Sequence, residues 1–109
     1  MEFYGLTLEY ALDVISNYIA WKDRMELVLE DNGLKDFIDQ EIPKPIDKIE
    51  QVEWKKCVAR ARRILLEGVR DHIVSSLHVK ENPHAMWKTL KDLYQNSSDQ
   101  RKLALKDKL

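Results

Sequence analysis

Three histidines, one cysteine and a run of basic residues are the groups in this 109-residue chain best suited to chemistry. His72, His78 and His84 stand six residues apart. Six is not a helical repeat, so the imidazoles do not share one helix face, and Pro83 separates two of them. Metal ligation needs converging donors, and neither this set nor the single Cys57 supplies them. Surface or helix-end histidines are the plain reading. Cys57 falls on an apolar stripe, which makes it an inert buried thiol rather than a nucleophile. There is no glycine-rich phosphate loop and no nucleophile elbow, and the carboxylates lie on polar faces that they keep solvated. The expectation is no catalytic residue, no cofactor, no metal, and no enzyme.

The basic run comprises Lys55, Lys56, Arg60, Arg62 and Arg63, with Arg101, Lys102, Lys106 and Lys108 in the tail. A basic face binds phosphates without sequence preference, so RNA or DNA is one candidate partner. A solvated or assembly-facing surface is the other, and a net charge of −1 favours it. That near-neutrality conceals an asymmetry. Residues 1–53 hold thirteen acids and five bases, whereas residues 54–109 hold six acids and thirteen bases. Two halves of one fold neutralising each other would produce this pattern, and so would head-to-tail attraction between neighbouring copies.

The elements that must carry these groups are helices. Charged residues make up 34% and hydrophobic ones 44%, a globular balance, and only three Gly and three Pro are present, too few for a turn-rich β architecture. The length suits one domain. No apolar run is long enough to span a bilayer, no charged start precedes an apolar leader, and a lone cysteine fits a reducing interior.

Residues 1–15 form an N-terminal segment in which Thr7 can cap a short helix to about Val14. A helical domain is expected over residues 16–98. Ser16 or Asn17 caps its first helix, Gly33 stops it, and Tyr18, Trp21, Met25, Val28 and Leu29 line one face. Residues 34–38 read as a helical turn with Leu34, Phe37 and Ile38 inward, and Pro43 and Pro45 mark an extended linker. The longest helix runs from about Ile49 to Gly68. With Trp54 at zero on a helical wheel, Val58, Ala61, Leu65 and Gly68 fall within about 40° of it, and Cys57 and Ile64 widen that stripe. Lys56, Arg60, Arg63 and Glu67 take the opposite side, while the small Ala61 and Gly68 permit close approach of another helix.

A shorter helix follows over residues 71–77, burying Ile73, Val74 and Leu77. Then Asn82 caps, Pro83 opens, and Met86, Trp87, Leu90, Leu93 and Tyr94 build the apolar stripe of another helix. Residues 99–109 read as the start of a further helix capped by Ser98, with no stop signal before Leu109, so the chain reads as a piece of something longer. The predicted fold is all-α, a compact bundle of five or six short helices. Its core is expected to be Tyr18, Trp21, Met25, Trp54, Val58, Ala61, Leu65, Trp87, Leu90 and Tyr94, with the three indoles packing on one another.

The ordered set Asn17-Tyr18, Trp21, Met25 and Leu29, then Gly33-Leu34, Trp54, Ala61 to Ile64, Ile73 to Leu77, and Ala85-Met86-Trp87 with Leu90 and Tyr94, resembles the Gag polyproteins of Copia-type LTR retrotransposons. The resemblance covers about residues 15–109. It implies a capsid domain related to the N-terminal domain of retroviral capsids, assembling with copies of itself into cytoplasmic virus-like particles around the element's RNA. A host gene descended from such a Gag would look the same. Ser16 stands where the family has Gly, Lys35 where it often has Trp, and no zinc knuckle is present, so RNA packaging falls mainly to other regions. Two other functions fit the same residues: an adaptor that grips a partner's peptide or helix in a groove, and a helical RNA- or DNA-binding module using the face around Arg60.

Overall fold

The structure is a computed structural model that describes residues 11–12 and 17–95. The short helix expected between Thr7 and Val14, apart from Ala11 and Leu12, and the final helix after Ser98 lie outside the described residues.

Five α-helices follow in order: α1 (Tyr18–Asp31), α2 (Asp36–Asp39), α3 (Lys48–Glu67), α4 (Asp71–His78) and α5 (Pro83–Leu90), the last continued by a π-helical turn, Lys91–Gln95. Helix α1 buries Tyr18, Trp21, Met25 and Leu29, one side chain per turn. Asn17 stands at the cap position, but its side chain accepts from none of the first-turn amides; its Nδ2 donates to the Ala11 carbonyl at 3.0 Å. The helix ends in a Schellman turn. Gly33 takes φ 71°, a left-handed conformation that strains any residue with a Cβ. Its amide donates to the Glu30 carbonyl at 3.0 Å, and Leu34 N–H to the Leu29 carbonyl at 2.7 Å. That reversal drops Leu34 and Ile38 into the core, with Phe37 packed at its edge.

Extended linker residues then reach Asp47, whose carboxylate accepts from the amides of Ile49 and Glu50 and so opens α3. Its twenty residues make α3 about 30 Å long, longer than any neighbour. Only its C-terminal half is buried, through Ala61, Ile64 and Leu65. Gly68 follows, and a Cβ there would collide with the terminal methyl of the buried Met25 on α1. Close approach at Gly68 is therefore how α1 meets the end of α3.

Leu12 joins the same junction. Its N–H donates to the Gly68 carbonyl and its carbonyl accepts from Arg70 N–H, both at 2.9 Å, making an isolated parallel bridge to Val69. Helix α4 then buries Ile73 and Leu77. Asn82 caps α5 by accepting from Ala85 N–H at 2.7 Å, with Pro83 at the first turn. Such a cap contributes about 1 kcal/mol.

The turn after α5 changes which side chains face inward. A π-turn advances fewer degrees per residue than an α-helix, so Tyr94 stays in line with Leu90 while Leu93 swings out. Leu93 was expected on the apolar stripe; it is half exposed, at 50%.

Candidate functional site

The core is aromatic at its centre. The rings of Trp21 and Trp87 lie 5.5 Å apart and tilted, and Tyr18 stacks between Trp21 at 6.3 Å and Tyr94 at 5.8 Å. Trp21 Nε1 donates to the Gly68 carbonyl at 2.7 Å, so the same oxygen serves α1 and Leu12. Of the residues expected in the core, Tyr18, Trp21, Met25, Ala61, Leu65, Trp87 and Leu90 are buried, and Tyr94 packs against them partly exposed.

Trp54 and Val58 are placed differently. Both are only half-buried, and Trp54 does not stack on the other two indoles. The cause is length: α3 is the longest of the described helices, and its N-terminal half is covered only in part. What reaches it is the linker, Phe37 of α2 and the start of α5. Trp54 Nε1 donates to the Ile42 carbonyl at 2.9 Å. Phe37, Ile42, Pro43, Trp54, Val58 and Pro83 wall a half-open cavity of about 300 Å³, with Glu41, Lys44 and Glu81 on its rim. Asn82 and His84 complete its lining, and the His84 imidazole is already engaged with the Ile38 carbonyl at 3.0 Å. Because its burial is partial, Trp54→Ala should cost about 1–2 kcal/mol, well under a core tryptophan, measured as the shift in urea midpoint.

The basic run divides on the surface. Lys56, Arg60 and Arg63 line one shallow depression around Ala59 and are exposed. Arg62, expected beside them, is half-buried and its Nε has no hydrogen-bond partner, while Lys55 lies exposed outside the depression. The wheel explains the division: Lys55 and Arg62 project from one flank of α3, Arg60 from the other.

The remaining titratable groups gather around no common centre among the described residues. His84 Nδ1 donates to the Ile38 carbonyl at 3.0 Å, which ties α5 to α2, while His72 and His78 are exposed. Among the described residues no group of His, Cys, Asp and Glu is arranged to hold a metal ion. Cys57 is half-buried, and burial, reinforced by the nearby Glu53 carboxylate, pushes its thiol up from the ordinary range, away from nucleophilic use. The Asp39 carboxylate, 2.9 Å from Lys35 Nζ, likewise holds that ammonium above its ordinary value. Two surface features escaped the expected pattern: Leu27 on α1, and Ile49 and Val52 on α3, are apolar and exposed. The wheel does carry a signal for Val52, which lies opposite the buried stripe.

The described residues thus form a small helical bundle whose exposed apolar and basic side chains sit on helix faces. Over residues 25–109 the chain matches the gag-polypeptide of LTR copia-type, and it belongs to that family. It is thus a Gag, capsid-type protein of the retrotransposon lineage, a family that is structural rather than enzymatic. No curated protein and no solved structure matches it. Among the described residues no helix is long and apolar enough to cross a membrane.

Proposed function

We propose that this chain acts by self-association, as a building block of a cytoplasmic retrotransposon virus-like particle that encloses the element's RNA. The observation that carries this reading is the family match across residues 25–109, on a fold that turns its undedicated chemistry outward. The core is satisfied within one chain, so the indoles stabilise the bundle. Leu27, Ile49 and Val52 are left for contact with something else. In this reading the helical unit over residues 16–98 is the assembling module.

Molar mass measured by light scattering on the 109-residue protein should rise with concentration to at least a dimer across the micromolar to millimolar range. A constant monomer mass throughout would overturn the proposal.

A further inference from the structure

The outward faces of α1 and α3 are opposite in charge. On α3, Lys56, Ala59 and Arg63 fall within about 40° of Val52 on the helical wheel, and Ile49 lies just beside them. All five are exposed, Ile49 at 82% and Val52 at 55%. On α1, Ala20, Asp23, Glu30 and Asp31 fall within about 60° of Leu27. These too are exposed, Leu27 at 65%. Each ridge therefore holds a small residue and apolar side chains set among charges of one dominant sign. Helix α3 carries six bases against three acids, and α1 four acids against two bases. The minority charges nearest the ridges are Arg24 on α1 and Glu67 on α3. Glu67 already neighbours Arg63 Nε at 3.5 Å in an exposed pair that contributes little and is easily exchanged.

We infer that the α1 ridge of one copy docks on the α3 ridge of the next, with Asp23, Glu30 and Asp31 facing Lys56 and Arg63 around the apolar contacts of Leu27, Ile49 and Val52. This rests on the self-association reading and names its surfaces. A second copy fits the α3 ridge better than nucleic acid does, because phosphates make no use of Ile49, Val52 and Ala59. It also fits better than a second α3, whose Lys56 and Arg63 would meet their own kind. Two different patches pairing make a heterologous contact, which propagates into a ring or an open array as a shell requires. The charge pairs make it sensitive to ionic strength.

Sedimentation velocity on the full chain tests this with three variants: D23K/E30K, K56E/R63E, and all four substitutions together. Each two-site variant should weaken self-association by about 10- to 100-fold, since like charges then oppose each other. An equimolar mixture of the two should recover association, and so should the four-site variant; that recovery also shows that the bundle still folds. If the two-site variants associate as the unaltered protein does, the assigned ridges are wrong while self-association stands. Failure of both the mixture and the four-site variant to recover also overturns the pairing. Loss of RNA retention by K56E/R63E with undiminished self-association would assign the α3 ridge to phosphates instead. An unaltered protein that stays monomeric removes the self-association reading itself.

Discussion

Trp21→Ala should destabilise the bundle by about 3–5 kcal/mol, the largest effect expected of any single truncation here. Trp21 is 1% exposed and sits where α1, α5 and the end of α3 converge. Removing the indole deletes its contacts with the rings of Tyr18 and Trp87 and opens a void that neighbours held in a tight core cannot fill. A domain of this size has only about 5–15 kcal/mol in hand, so the variant should be partly unfolded at 37 °C. Far-UV circular dichroism against urea is the measurement, because removing an indole alters the fluorescence signal itself. Trp21→Phe separates packing from hydrogen bonding. It keeps a ring and surrenders the N–H, while the Gly68 carbonyl still accepts from Leu12 N–H at 2.9 Å. With no buried acceptor orphaned, its cost should stay near 1–2 kcal/mol. A loss for Trp21→Ala no greater than that of Trp54→Ala would contradict this account of the core.

The second large effect belongs to a residue with no partner nearby in sequence. Leu12→Ala should cost about 2–5 kcal/mol, because Leu12 is fully buried against the main cluster. Its backbone bridge to Gly68 and Arg70 holds the segment at the turn between α3 and α4. Loosening that segment should also speed hydrogen exchange at the Arg70 amide, which donates to the Leu12 carbonyl. An unchanged urea midpoint together with unchanged Arg70 exchange would mean that residues 11–12 merely lie on the surface of the fold.

Within the described residues, what the sequence states most clearly is local. Gly33 ends α1, Asn82 and Pro83 open α5, and Pro43 and Pro45 keep the linker extended; each acts through φ, a missing amide or a side-chain oxygen within a few residues. The spacing of Tyr18, Trp21, Met25 and Leu29 reads correctly as one buried face for the same reason. The ordered set of aromatic, aliphatic and glycine positions carried the family resemblance, and the match over residues 25–109 bears out the family.

Periodicity identifies the apolar side of a helix but not how far along its length a neighbour covers it. Trp54 and Ala61 share one side of α3, yet Ala61 is buried and Trp54 only half-buried, because the N-terminal half meets just the linker, Phe37 of α2 and the start of α5 across a half-open hollow. The π-turn after Leu90 likewise sends Leu93 outward against an unbroken helical pattern. Leu12 has no local signal at all, since its partners Gly68 and Arg70 come from the far side of the chain. Helix limits and caps follow from interactions within one turn, which residue identity encodes directly. Which apolar faces are covered, and which charged ridges stand clear, depends on where separate helices end in space, and that emerges only once they pack.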